Sequence, residues 1–199
     1  MFQGQSSVIL SQIHLPPFYV ITGGPGTGKT TVLAELARRG HTCVPEDARA
    51  LIQEQVAIGG TAVPWADAPL YADLLMERSI ATYQAQAAVF TAQYAQSPIF
   101  FDRGIGDAFT CADIIGHTLP AALCEHAKVH RYRDPVFLAP WWPEIYTTDT
   151  ERRQGREEAE RTEHAVTKTY TDLGYRIVKL PLTTANERAD FILRHSPAL

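Results

Sequence analysis

Residues 23–30 read Gly-Gly-Pro-Gly-Thr-Gly-Lys-Thr, the spacing G-x-x-x-x-G-K-[ST] in which small residues leave backbone N–H groups free to wrap an anion. Gly24, Gly26, Thr27, Gly28 and Thr31 belong to that cradle. Lys29 adds a positive charge that reaches β- and γ-phosphates, and the Thr30 hydroxyl is of the kind that ligates Mg²⁺. The chemistry such a loop suits is binding of a nucleoside triphosphate, with ATP and Mg²⁺ as the expected cofactors. A glycine turn with an incidental lysine is the plain alternative. It fits less well, because the loop follows an apolar run at 18–21 and precedes a helical pattern.

Carboxylates follow two other expected strands. Residues 99–101 (Ile-Phe-Phe) lead into Asp102, which would lie at the C-terminal end of a strand, where α/β sheets bind ligands. Asp102 there holds the water shell of Mg²⁺ or takes a proton from an acceptor; a turn or capping aspartate before Gly104 is the plainer reading. Arg103 is placed to contact an acceptor or a phosphate, or to lie as an ordinary surface arginine. Glu46, with Asp47 and Arg49, follows the run at 41–44 and would bind or activate an acceptor hydroxyl, unless the acidic pair only caps the next helix.

Arg152, Arg153, Arg156 and Arg161 lie in a polar stretch, and Arg152 and Arg156 share a helix face. They suit a lid that closes over a nucleotide: Arg153 binds it, while Arg152 and Arg156 neutralise charge during transfer. The alternative is a solvated helix laced by Glu151, Glu157, Glu158 and Glu160. Trp141 and Trp142, between Pro140 and Pro143, form an aromatic wall beside an acceptor or simply pack. His126 and His130 are four apart near Cys124, but no third ligand has metal-binding spacing. No Asn-Lys-x-Asp segment occurs, which argues against a regulatory GTPase.

The elements needed to hold these residues follow from periodicity. Short segments at 18–21, 41–44, 98–101, 136–138 and 175–180 read as strands, of which 18–21 and 98–101 are compact apolar runs. Helical spacing marks 30–39, 47–57, 67–90, 105–115, 119–129, much of 148–173, and 185–194. Strands alternating with helices along a whole chain predict a parallel sheet covered on both faces. Residues 1–17 read as an extra strand or loose arm, and 1–199 as one domain with a lid and following helix at about 148–173.

Composition narrows the partners. With 18 Lys+Arg against 22 Asp+Glu the net charge is −4, and no basic run exceeds two residues, so a nucleic-acid polymer is not expected. The three cysteines, Cys43, Cys111 and Cys124, form no Cys-x-x-Cys and fit a reducing compartment, so a cytoplasmic location is expected. Neither a membrane span nor a signal peptide is read from the hydropathy. Oligomeric state is left open by amphipathic helices.

The segments GGPGTGKT at 23–30, PEDARALI at 45–52, FFDRG at 100–104, VFLAPWWPEIYTTDTERR at 136–153 and GYRIVKLP at 174–181 resemble a family of predicted ATPases among AAA-labelled P-loop proteins. These look closer to small nucleoside and nucleotide kinases, including the nicotinamide riboside kinase domain, than to AAA unfoldases. The resemblance covers about 18–195. It implies a three-layer P-loop NTPase fold with a five-stranded parallel sheet, the phosphate-loop strand central and an arginine-bearing lid after the fourth strand. The function expected is transfer of a phosphoryl group from Mg-ATP to a small-molecule acceptor, with Lys29 and the lid arginines neutralising charge and Asp102 or Glu46 orienting the acceptor. A nucleotide-dependent switch with slow ATPase activity is the alternative, and simple ATP hydrolysis a weaker third. Glu46, Asp102, Arg103 and Trp141 converging on one closed cavity would favour the kinase.

Overall fold

The computed structural model describes residues 15–90, 97–145 and 156–197. Its sheet is built from β1 (Phe18–Thr22), β2 (Thr42–Val44), β3 (Ile99–Asp102), β4 (Val136–Leu138) and β5 (Ile177–Lys179). The strands pair in the order β2-β3-β1-β4-β5, and every pairing is parallel. A parallel sheet needs helices on both faces, and alternation along β1 shows why this one has them. Phe18 and Val20 pack into one apolar cluster, Tyr19 and Ile21 into the other, and all five residues of the strand are buried.

The first cluster lies under α2 (Asp47–Ile58), α3 (Ala68–Val89), α4 (Ile105–Ile114), α5 (Ala121–Lys128) and α6 (Arg156–Asp172). Its centre is aromatic: Phe18 meets Tyr83 edge-on at 5.2 Å, and Tyr132 meets Phe101 at 5.2 Å. The second cluster lies under α1 (Lys29–Arg38) and α7 (Ala185–His195), where Val32, Leu33 and Leu36 face Ala189 and Ile192. Arg39 ties these two helices at their exposed rim, donating to Asp190 at 2.6 Å and to the Asn186 side chain at 2.8 Å.

Local chemistry sets several ends. Asp67 accepts the Leu70 N–H at 3.0 Å, and Pro69 sits in the first turn, where it costs no hydrogen bond, so α3 starts where the pattern at 67–90 places it. Pro120 precedes α5, which therefore starts at Ala121 rather than at 119. The strand expected over 175–180 contracts to β5, because Tyr175 leaves the ladder to pack its ring on Arg131, with the guanidinium 3.9 Å from the ring centre. Residues 148–155 of the expected lid, and residues 1–14 of the expected arm, lie outside the described residues. Among the described residues no helix is long and apolar enough to cross a membrane.

α4 and α6 approach closely because Gly106 has no side chain: a Cβ there would overlap the Tyr170 ring. Gly106→Ala is therefore expected to destabilise the fold by about 1–3 kcal/mol, the usual cost of overpacking a core, read as a lower urea midpoint.

Candidate active site

The phosphate-type loop hangs from β1, the central strand. Gly23 leaves the strand at φ +137° and passes so near the next strand that a Cβ would collide with the Ala139 carbonyl oxygen. Glycine is required there on both counts. Gly26 and Gly28 also hold positive φ, and Gly28 caps α1, so the loop ends on a helix N-terminus with its partial positive charge. Thr27 steadies the loop by donating to the Gly24 carbonyl at 2.9 Å. Thr30 and Thr31 stand exposed on the first turn of α1.

Lys29 is buried, and its Nζ donates to the carbonyls of Gly23 at 2.9 Å and Gly24 at 2.7 Å. Burial pushes its pKa down to about 7, aided by the Arg103 charge and opposed by Asp102, Glu46 and Asp107. One charged cluster thus gathers at the strand ends. Asp102 lies beside Ile21 in the register of β3 with β1, and its Oδ1 is buried with no hydrogen-bond partner among the described residues. Burial raises the pKa of this carboxyl, with the Lys29 charge working against the rise.

Arg103 follows at φ +68°, a left-handed conformation that a non-glycine residue adopts only when its surroundings hold it there. Its N–H donates to Ile21 O at 3.0 Å, and its side chain turns back toward the sheet. There Nε donates to Glu46 at 2.8 Å and Nη1 to Asp107 at 3.0 Å. Burial works against the guanidinium charge, yet Asp107 and Glu46 outweigh it and hold the pKa above its ordinary value. Glu46, at the head of α2, keeps its other oxygen free of any partner among the described residues.

Three groups in the site escaped the sequence reading. Asp107 and Tyr170 belong to the buried network around Arg103, and the hint for Asp107 was its place four residues after Arg103, one helical turn on. Arg188 fastens the loop from α7, donating Nη1 to Thr27 O and Nε to Pro181 O, both at 2.8 Å. Its guanidinium also covers the Trp142 ring at 4.8 Å. The hint there was an arginine on the same stripe of α7 as Ala189 and Ile192.

Other expected residues lie elsewhere. Arg49 is exposed on α2 and joins none of the described ion pairs. Trp141 does not meet Glu46, Asp102 and Arg103: it lines a cavity of about 440 Å³ with Pro140, Glu160, Glu163, Thr167 and Lys179. The strand order explains this, since Trp141 follows β4 on one side of β1 while Asp102 and Glu46 follow β3 and β2 on the other. The convergence of all four on one closed cavity, which would have favoured a kinase, is not what the structure shows: Glu46, Asp102 and Arg103 cluster, and Trp141 stands apart. Arg152 and Arg153 lie outside the described residues; Arg156 opens α6, with its side chain also outside them. His126 and His130 both engage the Gln84 amide at 3.2 Å, and no group of metal-binding side chains occurs among the described residues.

A strand, a glycine loop on a helix and acids on the neighbouring strand ends describe a type of site, and comparison gives its lineage. The family described as AAA domain matches residues 18–188. The chain belongs to that family. No curated protein matches it. Among solved structures, this AAA domain is similar to a NadR protein in complex with NR, at TM-score 0.65 and 16 % identity over 92 % of this chain and 52 % of the other. It thus spans about half the length of that NadR chain. Thymidylate kinase from Ehrlichia chaffeensis aligns at TM-score 0.59 and 14 % identity, covering 88 % of this chain and 97 % of the other. Deoxyadenosine kinase from M. mycoides aligns at TM-score 0.53 and 14 % identity, covering 89 % and 97 %. At these identities the likeness shows the fold: a three-layer P-loop kinase-like α/β domain with the phosphate loop on the central strand.

Proposed function

We propose that this AAA domain is a phosphotransferase that moves the γ-phosphoryl group of ATP to a small-molecule acceptor such as a nucleoside or nucleotide. The observation that carries this reading is the Glu46–Arg103 pair just past the ends of β2 and β3, with β3 lying beside β1, the strand from which the loop leads to Lys29 at the head of α1. A site that only bound a triphosphate would need the loop; one that transfers to an acceptor also needs a base for a hydroxyl, or a positive charge for a phosphate, beside it.

The loop amides and the end of α1 hold the phosphates, and Lys29 swings from its own loop carbonyls to the phosphate oxygens. Thr30 and Asp102 would hold Mg²⁺; the buried, unpartnered Oδ1 of Asp102 suits a hydrated cation better than it suits an apolar wall. That ion supplies charge neutralisation on the phosphate oxygens. Glu46, oriented by Arg103, takes the proton of the acceptor hydroxyl as the new P–O bond forms and the bond to ADP breaks. With a phosphate acceptor, no proton need move and Arg103 supplies positive charge instead. The lid arginines Arg152, Arg153 and Arg156 are proposed, from sequence, to cover the nucleotide.

The test is ADP release from purified protein with Mg-ATP, with and without pools of nucleosides, nucleoside monophosphates and vitamin-like alcohols, beside Lys29→Ala. Stimulation by one pool, lost in the variant, is expected. Tight ATP binding with no stimulation by any pool overturns the kinase reading in favour of a nucleotide-dependent switch.

A proton count follows from Lys29. Near pH 8 an amine of pKa about 7 is mostly neutral, whereas phosphates beside it favour the charged form. Binding of Mg-ATP at about pH 8 is expected to take up close to one proton, and Lys29 contributes far less uptake at about pH 6. Calorimetry in two buffers of different ionisation enthalpy reads this directly; equal heats at the higher pH would exclude Lys29 as the group that charges.

A further inference from the structure

Asp107 carries more donors than its place in the helix requires. As the third residue of α4 it accepts the Gly104 N–H at 2.9 Å on Oδ2, an ordinary way to finish a helix start. The same oxygen accepts the Tyr170 hydroxyl of α6 at 2.7 Å. Oδ1 accepts Thr22 Oγ1 at 2.5 Å and Arg103 Nη1 at 3.0 Å. The side chain is only 8 % exposed. A cap alone is served by an acid at the surface, where water satisfies the remaining lone pairs. Here all four places are taken by protein, from the last residue of β1, from Arg103 and Gly104 in the turn after β3, and from α6.

We propose that Asp107 is a positioning residue for phosphoryl transfer, holding the Arg103 guanidinium in the orientation that sets it against Glu46. The proposal rests on the kinase reading above and deepens it. A planar guanidinium held at one edge can pivot; held through Nε by Glu46 and through Nη1 by Asp107, its plane is fixed. Asp107 can serve as the fixed point because it is immobilised itself. Thr22 pins it to the residue immediately before the phosphate loop, so the distance from loop to Arg103 is set through one carboxylate. Tyr170 pins it from the opposite side, and burial together with the Asp107 charge keeps that phenol protonated, and therefore donating, well above its ordinary range. The positive φ of Arg103 fits the same account: a strained backbone is retained where its surroundings hold the side chain in one place.

The test is a pair of double-mutant cycles on steady-state turnover with the best acceptor pool, using Asp107→Asn and Tyr170→Phe, each alone and combined with Arg103→Ala, beside Arg103→Ala itself, with ATP affinity and melting temperature measured for each. Asp107→Asn is expected to lower kcat about 100-fold, the scale of a misplaced catalytic group, while leaving ATP affinity within about threefold. Added to Arg103→Ala it should lower kcat no further, because it acts through that side chain. Tyr170→Phe should lower kcat about fivefold, also only when Arg103 is present, and it decides the matter if Asp107→Asn does not fold. Losses that multiply with Arg103→Ala, or a lower melting temperature at unchanged kcat, overturn the positioning role and leave the kinase reading standing. Absence of acceptor-dependent turnover in the unaltered protein overturns both.

Discussion

Lys29→Met will lower acceptor-dependent ADP formation by about 10³-fold and leave the fold intact or more stable. The loss follows from removing the cation that sits among the loop carbonyls, within the electrostatic reach of Asp102 and Glu46, where transferring charge must be neutralised. The gain in stability follows from the same burial. In the folded chain the amine has a pKa of about 7, below the value near 10.5 of an exposed lysine, so folding disfavours its charged form. Between those two values the unfolded chain binds more protons, and this group's contribution to stability rises with pH; below about 7 both states are protonated and the contribution levels off. Met has similar length and no charge to desolvate. Denaturant unfolding of both proteins at several pH values reads the slope, which Lys29→Met should remove. A variant that turns over normally, or whose melting temperature falls steeply, contradicts this account of Lys29.

The second large effect is expected at Glu46. Glu46→Gln keeps the size of the side chain and its contact with Arg103 Nε but removes the proton acceptor, and turnover with a hydroxyl acceptor should fall about 10²–10⁴-fold. Binding of Mg-ATP, measured by calorimetry, should be unchanged, because the loop and α1 do not use Glu46. Unchanged turnover would move the role of base to Asp102, the other carboxylate at a strand end beside Lys29.

Reading these residues from sequence worked where the signal was local. The loop declares itself by eight consecutive residues, and its glycines meet demands that the structure then displays at Gly23 and Gly28. Asp102 and Glu46 were legible because an acid within two residues of an expected strand's last residue stands at that strand's end, whichever strand it is. The separation of Trp141 from those acids was not legible for the complementary reason: it also follows a strand, but which side of β1 that strand occupies depends on strand order, and no local pattern encodes order. Asp107 was passed over because three of its donors, Thr22, Arg103 and Tyr170, come from different elements, Tyr170 lying 63 residues away. Arg188 reaches across 161 residues to Thr27, so its sequence neighbourhood shows only a basic residue on a helix.

The position of β1 between β3 and β4 has a dynamic consequence. Backbone amides of a strand paired on both sides and covered on both faces open only in global unfolding, whereas edge strands exchange through smaller fluctuations. Hydrogen exchange along 18–22 should therefore be the slowest in the sheet, and that along β2, an edge strand of three residues, among the fastest. On that expectation the glycine loop is rooted in the slowest-exchanging strand of the sheet, and Glu46 lies two residues beyond one of the fastest. On the kinase reading, rigidity is then concentrated where the nucleotide would be gripped and compliance at the rim that would receive the acceptor, so that rim could change shape without loosening the grip on the donor.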